Sequence, residues 1–430
     1  MSDFFSFDTL SLHAGQTLDP EFGSRAQPIH QTTSYVFSDT DTASSLFNLE
    51  RGGHVYNRIS NPTVGVLEQR VAALEGGSAA VCVASGMSAV FCALTALVSQ
   101  GDHIVASANM YGGNISLLKN TLPRFGITST FVDPTDIKAI EDAIQDNTKI
   151  VFGELIGNPG LSVMDIEAVA KICTNHHIPL MIDGTFNTPY LCRCFDYGAN
   201  IIVHSLTKWM GGHGTSIGGV VVDGGNFDWG ATDKYTTLTE AYAPFSGINF
   251  WEEFGPSAFA TRIRAEAMRD FGPSMSPMNA FLLLQGIETL SLRMDRHLSN
   301  TKELLQYLNN HEQVSWVNHP DMPDHDSHNI AKKYMPKGAG SIITFGVKGG
   351  RDAGKAFIEN VKLASHLANV GDAKTLIIHP ATTTHSRIDA EALVAAGITE
   401  DMIRISVGIE NVNDITQDFN NGFRVAKKFI

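Results

Sequence analysis

Short apolar runs that alternate with amphipathic helical patterns are the feature that most restricts the fold of this chain. From residue 62 onwards the runs are rich in β-branched residues, and the stretches between them, such as DIEAVAKICTNHH, repeat apolar residues at spacings of three and four. The predicted strands are residues 80–85, 103–107, 129–133, 149–154, 179–183, 200–205 and 217–223. Strands buried on both faces and joined by helices predict an α/β fold with a mostly parallel sheet.

The length of 430 residues exceeds one ordinary hydrophobic core, so two domains and a terminal arm are expected. Residues 1–60 have little that could form a core and are predicted to be an N-terminal arm that contributes to a neighbouring subunit. Residues 61–278 are predicted to form the large domain, in which the Gly- and aromatic-rich segment 225–275 lacks a clear period and is expected to shape a mouth or an interface. Residues 279–430, beginning with one long helix over 279–310, predict a smaller α+β domain.

Composition narrows the class of protein. Hydrophobic residues make up 43% of the chain and charged residues 18%, a balance typical of a folded enzyme and not of a disordered chain. With 31 basic and 45 acidic side chains the net charge is −14, which argues against a nucleic-acid or membrane-surface partner. The chain has no apolar stretch of membrane-spanning length and no signal-peptide pattern, so we expect a cytoplasmic protein with small-molecule partners.

Several common site motifs are absent. A dinucleotide fingerprint fails at Ile217, and neither a GxxxxGK nor an HEXXH sequence occurs. The pairs Cys192 with Cys194 and His176 with His177 have no second pair at zinc spacing, so no metal is predicted. The five cysteines are scattered through apolar segments, which predicts reduced, packed thiols and not a disulfide framework.

A lysine follows the apolar run at 200–205, within the segment HSLTKWMGGHG. Lys208 stands at the predicted end of a buried strand, with hydroxyls at Ser205 and Thr207 before it and glycines after it. Burial near a cation or in an apolar site lowers the pKa of a lysine, and the neutral amine can form a Schiff base with an aldehyde. An exposed lysine at a strand end is the alternative that this residue alone leaves open.

A carboxylate ends the run PLMID in the same way. Asp183 is predicted to lie at the carboxyl end of a parallel strand, which is where open α/β sheets place their ligands. A carboxylate there can keep a pyridinium nitrogen protonated, as the chemistry of pyridoxal phosphate requires. A cap of the following turn is its other possible role.

Two strand-to-helix passages add possible contacts for a flat, phosphate-bearing ligand. In the first, Gly86 lets a ligand approach, and the backbone amides near Ser85 and Met87 at the helix start suit a phosphate. In the second, Tyr111 precedes two glycines and could lay its ring on that of the ligand. An ordinary turn and a partly buried tyrosine are the alternatives.

Two arginines are also candidates for binding an anionic group of a ligand. Arg58, with Tyr56, lies in the arm and could complete a phosphate site in a neighbouring subunit. Arg404 falls within the apolar run MIRISVG, where a guanidinium is costly without an anion, so a clamp for a carboxylate fits there. A structural salt bridge is the alternative for Arg404.

Taken in order, these segments resemble the Cys/Met metabolism, or transsulfuration, family of pyridoxal 5′-phosphate (PLP) enzymes. The resemblance covers nearly the whole chain and rests on YNR, SGM, YGG, the NP of GNPG, DGTF, SLTKWMGGHG, SPMNAFLLLQGIETLSLRMDRH, HPATTTH and RISVGIE. It implies the fold of the type I, aspartate aminotransferase-like PLP enzymes, with residues 61–278 as the cofactor-binding domain.

The resemblance also implies roles for single residues. Lys208 would carry the cofactor covalently, Asp183 would pair with the ring nitrogen, and Tyr111 would stack on the ring, with Tyr111 and Tyr56 assisting proton transfers. Further cofactor contacts are implied for Ser85, Gly86, Met87, Asn158, Thr185, Ser205 and Thr207, and for Tyr56 and Arg58 of a neighbouring subunit. Arg404 and Asn369 would bind the substrate carboxylate.

For activity, the resemblance implies replacement at the γ-carbon of O-acetyl-L-homoserine by sulfide or methanethiol, which gives acetate and L-homocysteine or L-methionine. This implied activity rests on the insertion at 225–275 and on the segment LANVGDAKTLIIHPATTTH. Cystathionine γ-synthase, cystathionine γ-lyase and methionine γ-lyase activities stay as alternatives, although Gly113 stands where methionine γ-lyases usually have cysteine. Gly184 departs from the asparagine common after the ring aspartate. A homotetramer with shared active sites is also implied.

Overall fold

The structure is a computed structural model that describes residues 5–383 and 398–429. Its strands are β1 (Ala79–Val83), β2 (His103–Ser107), β3 (Thr128–Val132), β4 (Thr148–Glu154), β5 (Leu180–Asp183), β6 (Ile201–Ser205), β7 (Gly219–Asp223), β8 (Val314–Asn318), β9 (Ile342–Val347), β10 (Ser365–His366), β11 (Leu376–Ile378) and β12 (Met402–Ser406).

The α-helices are α1 (Phe7–His13), α2 (Thr40–Phe47), α3 (Pro62–Glu75), α4 (Gly86–Thr95), α5 (Gly112–Ser116), α6 (Ile137–Asp142), α7 (Ile166–Asn175), α8 (Thr188–Leu191), α9 (Thr236–Thr239), α10 (Phe250–Phe254), α11 (Ala258–Arg262), α12 (Pro277–Glu288), α13 (Leu290–Asn309), α14 (His328–Tyr334), α15 (Gly350–Asn360) and α16 (Val412–Ala426). Segments of π-helix cover Leu117–Thr121 and Ile263–Phe271.

The first sheet of the described chain has the strand order β1-β7-β6-β5-β4-β2-β3. The strands from β6 to β3 run parallel to their neighbours, and β7 lies antiparallel between β1 and β6. The prediction of an α/β fold with a mostly parallel sheet is therefore confirmed, and each predicted strand corresponds to one of these seven. The carboxyl ends of β4, β5 and β6 lie side by side at one edge of the sheet.

Both faces of this sheet are buried, which explains why its strands are continuously apolar. On β5, Leu180 and Ile182 pack into one core layer while Met181 packs into the layer on the opposite face. Helix α3 and most of α12 belong to the first layer, and α4 belongs to the second. Alternate side chains of one strand thus serve two cores, as a sheet with helices on both faces requires.

The second sheet described has the order β10-β11-β12-β9-β8. Helices α13, α15 and α16 supply its apolar layer, in which Phe357, Phe419 and Phe423 are buried beneath β9 and β12. Arg404 lies on β12, one of the inner strands, in register with Thr344 on β9. This smaller sheet lies within the residues predicted for the α+β domain, but the proposed domain limits themselves stay a prediction.

The long helix predicted over 279–310 is wrong, because two helices, α12 and α13, meet at Thr289. The carbonyl of Gly286 accepts a hydrogen bond from the Thr289 backbone N–H at 3.3 Å and another from the Arg293 guanidinium at 2.7 Å. A three-residue turn and a side chain thus satisfy this carbonyl, which ends the α-helical pattern. The last turns of α12 face the first sheet, and α13 continues toward the second.

The segment 225–275 forms short helices whose aromatic side chains are buried against the first sheet. Trp229, Tyr235, Phe250 and Phe259 are at most 2% exposed and share a core layer with α4. The expectation that this segment shapes the mouth of a site is not met within the chain, because none of its residues lines the cavity described below. Burial of the aromatic rings is the physical reason, since these side chains form a core. Its role in an interface stays untested.

The structure contains, in its described part, no helix with the length and apolar character that crossing a membrane requires. The five cysteines all lie in that part, and each is a free, buried thiol. The prediction that these thiols are packed in the interior is confirmed.

Two helical glycines give a test of this packing. A Cβ at Gly286 would lie 2.1 Å from the carbonyl oxygen of Gly211, in the loop after Lys208, whereas a Cβ at Gly65 in α3 would meet nothing within 4 Å. We expect Gly286→Ala to lower the free energy of unfolding by about 1–3 kcal/mol through overpacking. The matched control Gly65→Ala should raise it by about 0.5–1 kcal/mol, because alanine favours helix. Denaturant unfolding of both variants is the measurement, and equal effects would contradict the packing described.

Candidate active site

The predicted site residues converge on one cavity of about 460 Å³ between the two sheets. It is bounded by the carboxyl ends of β4, β5 and β6, by the start of α4 and by β12. The predicted residues that line it are Ser85, Gly86, Met87, Tyr111, Asn158, Asp183, Thr185, Ser205, Thr207, Lys208, Asn369 and Arg404. A larger groove of about 1330 Å³ includes Asn158 but none of the other predicted residues, so volume alone does not mark the site.

Lys208 lies in the loop after β6 and points its amine into the cavity. The Nζ atom donates a hydrogen bond to Oδ1 of Asn369. Burial and, after it, the nearby charge of Arg404 lower the pKa of Lys208 to about 8, although the charge of Asp183 acts in the opposite direction. The neutral, nucleophilic form of the amine is therefore far more abundant near neutral pH than it is for an exposed lysine, although the protonated form still predominates.

The loop that carries Lys208 is fixed from the second domain. Arg293 on α13 is 5% exposed and donates to the carbonyl oxygens of Trp209 and Met210 at 2.6 and 3.2 Å. The indole of Trp209 is buried and donates to Oγ of Ser341 at 2.9 Å. These bonds hold the backbone next to Lys208, so that the side chain enters the cavity from a rigid base.

Asp183 ends β5 and is hydrogen-bonded to Thr185. Its Oδ1 atom accepts from the Thr185 backbone N–H at 3.0 Å and from the Thr185 hydroxyl at 2.5 Å. The same hydroxyl accepts from the Ser205 backbone N–H at 2.9 Å, which joins the ends of β5 and β6. Burial raises the pKa of Asp183, while the Thr185 hydrogen bonds favour its charged form.

A buried pair of side chains next to Gly184 explains why this residue is a glycine. His204 on β6 is hydrogen-bonded to Glu75, and both side chains are fully buried. A Cβ at Gly184 would lie 2.7 Å from Cε1 of His204. Glycine after Asp183 therefore leaves room for the imidazole in the position that it takes here.

The start of α4 provides the amides expected for a phosphate. Ser85 caps the helix by accepting from the Ser88 backbone N–H at 3.1 Å, and the amides of the first turn have no acceptor within the helix. A Cβ at Gly86 would lie 2.7 Å from Cβ of Ser205, and one at Gly219 would lie 2.0 Å from the Ser85 carbonyl oxygen. Glycine at both positions brings this turn against β6 and β7.

Tyr111 lies in the turn before α5, where it lines the cavity and is half exposed. A Cβ at Gly113 would lie 2.4 Å from Cε1 of Tyr111 and 3.1 Å from Sδ of Met87. The absence of a side chain at residue 113 thus lets the ring fold back over the loop. A larger residue there would move the ring.

Arg404 reaches the cavity from β12, where it is 8% exposed. Its guanidinium donates to Oδ1 of Asn158 at 3.1 Å, and a cis peptide bond joins Asn158 to Pro159. Burial lowers the pKa of Arg404 to about 10, which still leaves it cationic at neutral pH. A buried guanidinium whose hydrogen bond goes to a neutral amide has capacity left for a carboxylate.

Tyr56 and Arg58 do not line this cavity in their own chain. The Arg58 Nε donates to the carbonyl oxygen of Arg269 at 3.2 Å, and its guanidinium carbon lies 5.0 Å from the centroid of the Tyr56 ring. That Tyr56 and Arg58 contribute to the cavity of a neighbouring subunit stays a prediction. The motif HPATTTH also extends to residues 384 and 385, which lie outside the described residues.

Sequence reasoning missed two polar side chains of the cavity, those of Glu154 and Asn114. Glu154 ends β4 as Asp183 ends β5, and the pattern of a carboxylate after an apolar run could have found it. Asn114 lies in the short helix α5, where no periodicity marks it. Within residues 5–383 and 398–429 no group of His, Cys, Asp and Glu side chains could hold a metal ion.

Comparisons with known proteins agree with this geometry. The sequence matches the Cys/Met metabolism PLP-dependent enzyme family over residues 8–424. It is 49% identical to a homocysteine synthase of Schizosaccharomyces pombe and 46% identical to an O-acetyl-L-homoserine sulfhydrylase of Leptospira meyeri, with at least 97% of each chain covered. Its fold is similar to the crystal structure of a putative O-acetylhomoserine (thiol)-lyase from Campylobacter jejuni that holds a pyridoxyl-lysine monophosphate, with a TM-score of 0.95, 38% identity and coverage of 98% and 100% of the two chains.

The environment of Lys208 predicts a pH dependence. The rate at which the cofactor-free protein reacts with pyridoxal phosphate should rise with pH and reach half its maximum near pH 8, because only the neutral amine attacks an aldehyde. Arg404→Gln should move this midpoint upward, since the removed charge lowers the pKa of Lys208. Stopped-flow absorbance across pH measures both. A midpoint near that of free lysine, about 10.4, in the unaltered protein would contradict the assignment.

Proposed function

Because the chain belongs to the Cys/Met metabolism family of PLP-dependent enzymes, we propose that it replaces the acetate of O-acetyl-L-homoserine with sulfide, giving L-homocysteine. Methanethiol in place of sulfide would give L-methionine. The observation that carries this proposal is the amine of Lys208, buried between Asp183 and Arg404 with a pKa near 8. The names of the similar proteins indicate the substrate.

The residues of the cavity fit PLP. Gly86 and Gly219 leave a cradle at the start of α4 that a Cβ would fill, and the amides and the Ser205 hydroxyl there suit the phosphate. Asp183 suits the ring nitrogen, and Tyr111 suits the ring face. When bound, PLP supplies an aldehyde that captures an amino acid and a ring that accepts the electrons released at its α-carbon.

Three side chains of the cavity would then bind the substrate and transfer its protons. Arg404, held by Asn158, would bind the α-carboxylate of the substrate in a bidentate pair. Lys208, freed when the substrate amine takes its place, would hold and move the protons at Cα and Cβ through its Nζ atom. Asn369 already accepts from that atom, so it would orient the amine during these transfers. Loss of the Cβ proton would expel acetate, and sulfide would add at Cγ.

A test of the proposal compares acyl donors and thiols in matched conditions. The purified PLP-loaded protein should convert O-acetyl-L-homoserine and sulfide to homocysteine and acetate, and Lys208→Ala should abolish the reaction because the proton carrier is lost. O-succinyl-L-homoserine and cysteine serve as the alternative donor and acceptor, with products identified by mass spectrometry. Cystathionine as the main product, or 2-oxobutanoate without any thiol, would point to another activity of the family and contradict the proposal.

We also propose that the protein is a homotetramer in which Arg58 and Tyr56 of a second subunit complete the binding site for the phosphate. Among the residues described, the cations that line the cavity are Lys208 and Arg404, and neither belongs to the cradle at the start of α4. The dianionic phosphate would lack a counter-charge there. Arg58 is half-buried, with its Nε on a single backbone carbonyl, and Tyr56 beside it is 42% exposed.

Complementation between subunits tests this sharing. Neither Lys208→Ala nor Arg58→Ala alone should be active, but subunits exchanged between the two variants should recover roughly one quarter of normal activity, because half of random dimers are hybrids with one intact site each. Subunit exchange is verified by mass spectrometry of differently tagged chains. Hybrids that form without any gain in activity would show that Arg58 acts within its own chain.

A further inference from the structure

Two carboxyl groups lie side by side at the base of the cavity. Glu154 on β4 and Asp183 on β5 are Cα partners in the parallel register, so their side chains project from the same face of the sheet. Both line the cavity, and Glu154 is only 6% exposed. Like charges so close together in a site with little water are unfavourable, so one carboxyl should hold a proton.

The partners of the two groups decide which one is ionised. Asp183 accepts two hydrogen bonds from Thr185, and the positive Lys208 interacts with it across the cavity. His204 on the neighbouring strand β6 also favours the ionised form of Asp183.

Glu154 receives much less support for a negative charge. Its Oε1 accepts from the Tyr111 backbone N–H at 2.7 Å. Burial raises the pKa of Glu154 well above its usual range, the charge of Asp183 raises it further, and the Tyr111 hydrogen bond opposes them only in part. Arg404 directs its hydrogen bond to Asn158 and not to Glu154.

Asn114 on α5 faces both carboxyls. Its side chain is 1% exposed and favours the ionised form of each. Neither polar atom of this amide has a hydrogen-bond partner at ordinary distance and angle among the described residues. The amide can therefore rotate to donate to whichever carboxyl carries the charge, which leaves the asymmetry to Thr185 and Lys208.

We propose that Glu154 is a positioning residue, which stays protonated beside an ionised Asp183 and holds the main chain at Tyr111 so that the tyrosine ring covers the cofactor. The bond from the Tyr111 N–H fixes the turn from which the ring departs, and Gly113 gives the ring its space. A neutral Glu154 adds no second negative charge beside the ring nitrogen. This inference rests on the proposed function only for the presence of PLP, so it can be tested without substrate.

The same substitution, carboxyl to amide, should have little effect on PLP binding at Glu154 and a large effect at Asp183. Glu154→Gln keeps an acceptor for the Tyr111 N–H and has no charge, so the holoenzyme should bind PLP within about three-fold of the unaltered protein. Asp183→Asn removes the needed charge and should weaken PLP by about ten-fold or more and change the pH dependence of the cofactor absorbance. Glu154→Ala leaves the Tyr111 N–H without its acceptor and should weaken PLP about ten-fold.

The measurements are PLP titrations by fluorescence and the visible circular dichroism of the bound cofactor, which reports the ring of Tyr111. Glutamine should restore the dichroism that alanine loses. If Glu154→Gln loses as much PLP affinity as Asp183→Asn, Glu154 is charged. If Glu154→Ala shows normal dichroism, Glu154 does not position the ring of Tyr111. Either result overturns the inference. If the alanine variant does not fold, the comparison of the two amide variants decides. Normal PLP binding without homocysteine formation would count against the proposed function and not against this inference.

Discussion

The burial of one amine beside another cation is the constraint on which the site depends. Water is withdrawn from Lys208, and Arg404 lies in the same cavity, so the protonated lysine is disfavoured even though Asp183 stabilises it. The chain maintains this arrangement by fixing the loop after Lys208 through Arg293 and Trp209. Without that anchoring a lysine would turn toward solvent, as most do.

The two sheets contribute opposite ends of the site. The first sheet presents carboxyls, hydroxyls and helix amides at the carboxyl ends of its parallel strands, and the second sheet presents Arg404 from an inner strand. A ligand that joins a phosphate, a basic ring nitrogen and an amino-acid carboxylate matches this order of groups. The fit therefore requires both domains. Helix α12 packs with the first sheet, and the later turns of α13 pack with the second.

The sequence was informative where a local pattern and the topology agree. Lys208 and Asp183 each follow an apolar run, and parallel strands bring such positions together without further information. Glu154 follows the same pattern and could have been found in the same way, but the apolar run alone does not show that it lies opposite Asp183 in the register. The break at Thr289 depends on Arg293 reaching Gly286, and the aromatic segment 225–275 is a core only because α4 lies beneath it. Such tertiary contacts leave no periodic trace in a single sequence.

The covalent role of Lys208 is the central claim, and peptide mapping tests it most directly. The purified protein, saturated with PLP, is reduced with borohydride, digested and analysed by tandem mass spectrometry. We expect the pyridoxyl group on Nζ of Lys208 and on no other lysine. A label on a different lysine, or no stable label after reduction, would contradict the account.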